Sequence, residues 1–320
     1  MTGGGLLPLI VRRLVGSLPV LVVVSLAVYM LVQLVPGDPA VTLAGGLSAT
    51  PESIARIRAE LHLNDPFLVQ YGRWVGHAVR FDLGNSLVSG RSVAADIGTR
   101  LPVTLGLVVA SAFFALVIGV PLGIVSGVWP GSVADSVSRG VASLGLAIPG
   151  FWLAVVLVSF FAVDWGLLPS SGYVAITNSP IAWLDHIALP ALALGLFVAA
   201  AIARQLRGAL VDALDSPYIR TAWAKGAGRS AVVLRHALKN AAMPAITVLG
   251  VQIGQLLGGA VIIEVIFSLP GLGTYLFTGL INKDIPVVQG VVLVFVLGQV
   301  LMSLLVDISY GFLNPKVRVA

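Results

Sequence analysis

Long apolar stretches separated by shorter polar segments make up most of this chain. Backbone N–H and C=O groups in lipid must be satisfied within their own segment, so apolar stretches of membrane-spanning length are predicted to be helices. The shortest stretch, Leu189–Ala203, is long enough to span the membrane only if it continues to about Leu206. Six stretches meet the length requirement: Leu14–Val35, Pro102–Val128, Val141–Val163, Leu189–Ala203, Ala241–Ile263 and Val287–Val306. The pattern predicts an all-α integral membrane protein with six transmembrane helices.

The longest polar segment between two apolar stretches is residues 36–100, and it carries helix signals. Thr50 can cap a helix that starts at Pro51 and runs to about Leu63, because proline fits the first helical position. A second helix is predicted over Phe67–Val79. Balanced charge and several aromatic residues favour a small, ordered helical cap rather than a flexible loop.

Composition and charge place this protein in the membrane and predict its orientation. The chain is 58% hydrophobic and 10% charged, with a mean hydropathy of +1.00, which excludes a water-soluble domain of this size. With six spans, the side that holds both termini carries 12 of the 19 Lys and Arg residues but only four of the 14 Asp and Glu residues. The positive-inside rule therefore predicts cytoplasmic termini in the cell membrane.

Three regions follow from this topology. Residues 1–35 are predicted to form the cytoplasmic N-terminus and the first span, residues 36–100 an external helical cap, and residues 101–320 the core transmembrane domain. The core contains a basic loop at residues 204–240 on the same side as the termini.

The basic loop contains the signals of a short helix. Ser216 can cap it, Pro217 fits its first position, and Gly226 can end it. Ile219, Ala222 and Trp223 fall on one narrow apolar stripe at 100° per residue. Two interpretations remain open: a basic helix that lies on anionic headgroups, or a close-packed contact with a cytoplasmic partner, which the small residues favour. A second helix, Ala231–Ala242, leads into the fifth stretch.

A series of motifs in order along the chain resembles the ABC-importer permeases of the peptide/nickel family, in particular their first-permease subunits. The loop run YIRTAWAKGAG…RHALKNAAMP (Tyr218–Pro244) is similar to the EAA loop of those permeases, although the Glu of the general pattern is absent. The other motifs are VPGDPA (Val35–Ala40), LHLNDPFLVQY (Leu61–Tyr71), FDLGNS (Phe81–Ser86), IPGFWLA (Ile148–Ala154), GGAVIIEVIFSLPGLG (Gly258–Gly273), DIPVVQG (Asp284–Gly290) and VDISYGFLNPKVR (Val306–Arg318). The last has Asn314 where Asp is expected.

The resemblance implies a type I ABC-importer permease fold and a docking role for the loop. The residues it assigns to contact with an ATP-hydrolysing subunit are Ser216, Pro217, Tyr218, Ile219, Arg220, Thr221, Ala222, Trp223, Lys225, Gly226, Arg235, His236, Asn240 and Pro244. The chain lacks a GxxxxGK[ST] run, so no cofactor is expected in it, and ATP and Mg are expected in partner subunits.

The function that the resemblance implies is that of a transport subunit, not an enzyme, with no catalytic residue. It would form half of the pathway of an ATP-driven, binding-protein-dependent importer of peptides. The implied partners are a second homologous permease chain, cytoplasmic ATP-binding subunits and an external solute-binding protein, with no nucleic acid. Nickel, glutathione or haem is the alternative cargo within the family. A secondary transporter is disfavoured because the spans lack mid-membrane carboxylates.

Three further features are open to two interpretations each. Gly250, Gly254 and Gly258 recur at a spacing of four, which permits close helix contact either between permease chains or within this chain. Glu264 is either an interfacial residue at the end of a span or an element of an outer gate. The four histidines are scattered without metal-ligand spacing, so no metal site is predicted.

Overall fold

A computed structural model describes residues 6–34, 40–41, 44, 48–60 and 63–313, and these are helical apart from turns and an isolated antiparallel bridge between Asn85 and Ser92. Most of the VPGDPA motif and the chain from Asn314 onwards lie outside the described residues. In chain order the helices are α1 (Leu6–Leu34), α2 (Pro51–Glu60), α3 (Phe67–Ala78), α4 (Val93–Val128), α5 (Val133–Ala147), α6 (Gly150–Asp164), α7 (Pro180–Leu214), α8 (Pro217–Ala224), α9 (Arg229–Ile266), α10 (Leu272–Ile281) and α11 (Ile285–Leu313).

The predicted all-α membrane class is confirmed. Among the described residues, α4, α7, α9 and the Ile285–Leu305 part of α11 are long and apolar enough to cross a membrane, and the pair α5 and α6 passes the same test together as a bent, fifth candidate. The described side chains of α1 form a shorter apolar stretch, Val15–Met30. Four or five candidate spans are therefore present in the described residues, and the count of six stays a prediction.

The third predicted span is not one straight helix. Its two halves, α5 and α6, are bent by 104° at a break around Ile148 and Pro149. Ile148 has an extended backbone (φ −81°, ψ 123°), the conformation that a following proline favours because the helical one clashes with its ring. The proline therefore ends α5, and α6 begins after it.

The helix that contains the fourth predicted span is longer than that span at both ends. The hydroxyl of Ser179 accepts a hydrogen bond from the Ala182 N–H, and Pro180 follows at the first helical position. The helix then runs unbroken to Leu214, so the first third of the predicted loop belongs to α7. On the other side of the loop, α9 starts at Arg229 and joins the predicted helix Ala231–Ala242 to the fifth stretch, with a π-helical turn over Val232–Ala237.

The chain divides into two compact units. The smaller unit comprises residues 15–101 and 275–297. Its two predicted helices are confirmed as α2 and α3. At the start of α2, the hydroxyl oxygens of Thr50 and Ser53 each accept a hydrogen bond from the other residue's backbone N–H, at 3.1–3.2 Å. The helix α3 begins at Phe67 as expected. The Tyr29 hydroxyl of α1 donates to the Gln70 side chain of α3 at 3.1 Å, which ties α3 to the first helix.

The larger unit contains residues 102–274 and packs α4, α6, α7 and α9 around a buried apolar core. Close approach of α4 to α7 depends on three glycines of α4 at a spacing of four: Gly119, Gly123 and Gly127. A Cβ at Gly119 would lie 2.5 Å from the Ala199 carbonyl oxygen, and a Cβ at Gly123 would lie 2.9 Å from the Leu206 side chain. The spacing of four is also visible in the sequence, as it is for the three glycines of α9.

Candidate functional site

The helix predicted for the basic loop is present as α8, and two residues of its apolar stripe, Ile219 and Ala222, face its own chain. Ile219 is fully buried among residues from three other helices, and Ala222 packs at the edge of the same cluster. The cluster residues are Val128 of α4, Leu206 and Leu210 of α7, and Val232, Val233, Ala237, Ala241 and Ala245 of α9. The interpretation of the whole stripe as a partner surface is corrected in this respect, because Ile219 anchors α8 to the bundle.

The rest of α8 is exposed, including Trp223 of the apolar stripe, and it carries most of the other predicted residues. Trp223 is 45% exposed and Tyr218 42% exposed, and Arg220, Thr221, Lys225 and Gly226 are exposed as well. Arg220 forms an ion pair with Asp215 at 3.2 Å, in solvent where such a pair contributes little to stability. A basic, aromatic face therefore projects from a helix whose other side is fixed.

The ends of α8 differ in one detail from the prediction. Ser216 is at the N-cap position, but its hydroxyl donates to the Ala213 carbonyl at 2.5 Å and makes no capping bond to α8. Gly226 ends the helix as predicted: its φ is +79°, a conformation that other L-residues rarely adopt, and its N–H donates to the Trp223 carbonyl at 2.9 Å.

The remaining predicted loop residues lie along α9. Asn240 Nδ2 donates to the Tyr218 hydroxyl at 2.9 Å, which joins the start of α8 to α9. Arg235 and His236 are exposed in the π-helical turn, and Pro244 is half-buried inside the helix. The structure therefore brings Tyr218 and Asn240 together, and leaves Arg235 and His236 free of a role in packing α8.

A charged cluster that no sequence signal predicted joins α5 to α7. Asp135 of α5 is buried, and Arg207 of α7 binds its carboxylate in two places, with Nε to Oδ1 at 2.8 Å and Nη2 to Oδ2 at 3.0 Å. The Ser126 hydroxyl and the Gly131 N–H (2.9 Å) donate to the same carboxylate. No motif pointed to this pair, because its members are 72 positions apart in the chain.

Beside this cluster, Arg229 at the start of α9 holds the end of α4. Its guanidinium donates to the Val128 carbonyl at 3.1 Å and lies 5.4 Å from the centre of the Trp129 ring. Val128, Leu214, Trp223, Arg229 and Val233 line an open cavity of about 310 Å³ at this place.

Glu264 lies near the end of α9 and is fully buried, not exposed at an interface. The Thr104 hydroxyl donates to Oε1 at 2.6 Å, and the N–H groups of Gly273 and Thr274 donate to Oε2 at 2.7 and 3.1 Å. Thr104 in turn accepts the Leu272 N–H at 2.8 Å. The carboxylate therefore satisfies the first turn of α10, and it completes its contacts inside this chain.

The three glycines singled out on α9 have different surroundings. A Cβ at Gly254 would overlap the Gln299 amide of α11, so this glycine serves a contact within the chain. Gly250 is buried, whereas Gly258 is exposed and has open space around its Cα. The exposed side of α9 at this level carries Val251, Gln255, Gly258 and Ile262.

The smaller unit has a polar cluster of its own. Asp284 accepts hydrogen bonds from the Ser86 hydroxyl and the Leu87 N–H (3.0 Å), and Asp96 pairs with Arg91 at 2.9 Å. Burial raises the pKa of Tyr275 to about 12, and the nearby Asp96 carboxylate adds to the shift. In the part of the chain that the structure describes, no three His, Asp or Glu side chains are grouped as a metal site requires.

Comparison with known proteins gives the same family over almost the whole chain. Residues 119–319 match the family described as binding-protein-dependent transport system inner membrane component, and residues 6–108 match the N-terminal region of such components. A protein of Brucella abortus (strain 2308) that carries the name of a peptide transport system permease is 41% identical, with 97% of this chain and 98% of the relative covered. A glutathione transport system permease of Salmonella paratyphi A is 39% identical over the same shares.

Solved structures agree on the fold. The inward-facing MetNI methionine ABC transporter is similar with a TM-score of 0.57 and 22% identity, over 68% of this chain and 96% of that one. An amino acid ABC transporter crystallised with histidines is similar with a TM-score of 0.51 and 13% identity, over 66% and 91%. This chain thus belongs to the family of binding-protein-dependent transport system inner membrane components and has the fold of a type I ABC-importer permease.

Proposed function

We propose that this chain is one of two permease subunits of an ATP-driven importer of peptides, and that the exposed face of α8 docks on an ATP-binding subunit in the cytoplasm. ATP and Mg bind to that subunit, and a solute-binding protein delivers the cargo from outside. The family membership supports the transport role, and the name of the Brucella relative supports peptide as cargo.

One observation carries the docking role: α8 has a fixed side and a free side. Ile219 and the Tyr218–Asn240 hydrogen bond hold the helix to α7 and α9, while Trp223, Arg220 and Lys225 are exposed. A helix of eight residues is stiff and about 12 Å long, so a push on its exposed face is passed to the two helices that hold it. A helix that merely lay on headgroups would not need its base buried so completely.

The decisive experiment is reconstitution of the complex in liposomes with its ATP-binding subunits, its second permease and its solute-binding protein. We expect ATP-dependent peptide uptake by the unchanged complex, and loss of uptake together with loss of the ATP-binding subunit in Trp223→Asp. Trp223→Phe is the matched control, because it keeps an apolar ring at the same position. Full uptake and full subunit retention in Trp223→Asp would refute docking through this face.

Glutathione is the second candidate cargo, and the 39% identity to a glutathione permease favours it over nickel or haem. Both candidates have a peptide backbone, so the test is competition. Uptake of a labelled dipeptide is measured against excess glutathione, a tetrapeptide and a nickel chelate. Block by glutathione alone would assign this chain to glutathione transport.

For the second permease chain we assign the exposed strip of α9, Val251, Gln255, Gly258 and Ile262. Apart from Gln255 it is apolar or small, and Gly258 leaves room for a close helix. Gly258→Trp should then prevent pairing of the two permeases without unfolding this chain, since no atom of the described residues lies within 4 Å of a Cβ at this position. Retention of the second permease in this variant would exclude the strip.

Two assignments from topology belong to the same proposal. Both termini lie in the cytoplasm, and the α2–α3 region is external and receives the solute-binding protein. A cysteine introduced at an exposed position of α3, such as Leu68, tests both, because the chain has no other cysteine. Labelling by a membrane-impermeant maleimide in intact cells, reduced by the solute-binding protein, is the expected result. Protection from the reagent in intact cells would reverse the orientation.

A further inference from the structure

We infer that Asp135, Arg207 and Arg229 are positioning residues that bind the turn between α4 and α5 to α7 and α9, the helices that hold α8, so that α8 moves the broken pair α5–α6 together with α7 and α9. This inference rests on the proposed function, because it needs α8 to be the place where ATP-driven motion enters. It assigns a transmission role to residues that do not themselves reach the exposed docking face.

The first part of the link is the Asp135 carboxylate, which joins three elements. Ser126 belongs to the end of α4, Gly131 to the turn, and Arg207 to α7. Arg207 holds both carboxylate oxygens, and such a two-point bond fixes orientation as well as distance. Because Asp135 lies in the first turn of α5, movement of α7 at Arg207 displaces the start of α5 directly.

The second part of the link comes from the other side of the α8 segment. Arg229 is the first residue of α9, and it holds the Val128 carbonyl and covers the Trp129 ring. Arg207 lies before α8 in the chain and Arg229 lies after it. The two arginines therefore hold one turn, residues 126–131, from both ends of the segment that contains α8.

Close packing of α4 and α5 against α7 keeps these helices from sliding past one another. One turn beyond Arg207, Leu210 is fully buried against the Ile219 cluster, and a Cβ at Gly127 would lie 2.9 Å from the Leu210 side chain. Gly145 of α5 likewise lies against Ala200 of α7. Helices in such close contact move as a unit, because packed interiors do not deform continuously.

The bent pair α5–α6 is the element that this link would move. Its 104° break at Ile148–Pro149 separates a half that is bonded to Arg207 from a half that packs in the apolar core. A hinge of this kind converts displacement of one half into reorientation of the other. The two arginines add polar bonds to the apolar packing that already joins α8 to α4, α7 and α9.

The experiment measures ATP hydrolysed per peptide transported by the complete reconstituted complex, for Asp135→Asn, Arg207→Gln and Arg229→Gln. We expect this ratio to rise about two- to thirtyfold, the range that coupling residues away from both sites produce, with the ATP-binding subunits still attached. A purely structural role would lower the amount of complex and both activities together, and would leave the ratio unchanged. Matched controls are Asp212→Asn and Lys239→Gln, which are exposed near the same helices.

The outcomes separate this inference from the proposal on which it rests. If the unchanged complex shows no ATP-dependent uptake, the proposed function fails, and the inference fails with it. If the unchanged complex transports but no variant changes the ratio, the inference alone is overturned. Where Asp135→Asn does not assemble, Arg229→Gln decides, because its contacts are one carbonyl and one half-exposed ring.

Discussion

Two buried carboxylates of the larger unit, Glu264 and Asp135, each join helices, but they do so through different partners. Each binds a residue of α4: Thr104 near one end of the apolar stretch and Ser126 near the other, about 33 Å apart along a straight helix. Glu264 is held by a hydroxyl and two backbone N–H groups, whereas Asp135 is held mainly by two arginines, Arg207 at 2.8 Å and Arg139 at 3.4 Å.

The difference shows two ways in which a membrane protein can stabilise a buried carboxylate. Glu264 completes the start of α10, where unpaired N–H groups would otherwise be buried, so the helix terminus supplies the favourable field that a cation supplies elsewhere. Asp135 has a partner whose side chain is 28% exposed, so this ion pair keeps contact with solvent. Both clusters join helices, and they differ in whether a helix terminus or a partly exposed cation balances the buried charge.

The strongest test of this comparison is Glu264→Ala, which leaves the Thr104 hydroxyl and the two N–H groups of α10 without their acceptor. We expect the free energy of unfolding to fall by about 3–5 kcal/mol, because several buried donors lose their bonds at once. Thermal unfolding of the purified complex in detergent measures it. Glu52→Ala, at an exposed position of α2, is the control and should change nothing. Equal melting of the two variants would show that the Glu264 bonds contribute no stability.

Asp135→Asn should cost less, about 2 kcal/mol, although it breaks the bidentate contact. Arg207 is partly exposed and can turn towards water once its partner loses its charge, which reduces the penalty of leaving it unpaired. The same melting experiment, run beside Asp212→Asn, measures the difference. A larger loss than that of Glu264→Ala would reverse the ranking of the two clusters.

Thr104 and Ser126 are the α4 residues whose hydroxyls bind the two carboxylates. Removing each hydroxyl compares the two sites by a smaller change. Thr104→Val removes a donor to Glu264 and the acceptor of the Leu272 N–H, and we expect a loss of about 1–2 kcal/mol. Ser126→Ala should cost about 0.5–1 kcal/mol, because Arg207 and the Gly131 N–H still satisfy Asp135. If Ser126→Ala is the more damaging variant, Arg207 is not the dominant partner of Asp135.

One glycine at each cluster gives a further comparison of the two sites. At Gly271 a Cβ would overlap the Glu264 carboxylate, so Gly271→Ala should cost about 1–3 kcal/mol as an overpacked site. Gly131 has a φ of +78° and open space around it, so Gly131→Ala should cost only about 1 kcal/mol of backbone strain. Combining Gly271→Ala with Glu264→Ala checks the cause, because the added penalty should disappear once the carboxylate is gone.

Much of the architecture could be predicted from local signals. The caps at Thr50 and Ser179, the prolines at 51, 66 and 217, and the glycine at 226 set helix ends as backbone chemistry requires. Boundaries were missed where helices continue past the apolar stretch, as α7 does to Leu214. Hydropathy measures what lipid tolerates, and does not measure where backbone hydrogen bonding stops.

The candidate site, too, could be predicted from the sequence only in part. The existence of α8 and the basic character of its exposed face follow from the residues 216–226 themselves. That Ile219 is buried while Trp223 is exposed depends on which way α8 turns against α7 and α9, and a helical wheel cannot state this. The bonds of Asp135 to Arg207 and of Glu264 to Thr104 join residues 72 and 160 positions apart.

The sequence by itself determined that this protein lies in a membrane and is helical, where its short loop helix is, and to which family it belongs. Composition, periodicity and motifs are properties of the chain alone. The tertiary structure decided which face of α8 is free, which glycines are close contacts, and which carboxylates hold helices together. Such pairings depend on the approach of distant segments, and that approach is set by packing over the whole bundle rather than by any local pattern.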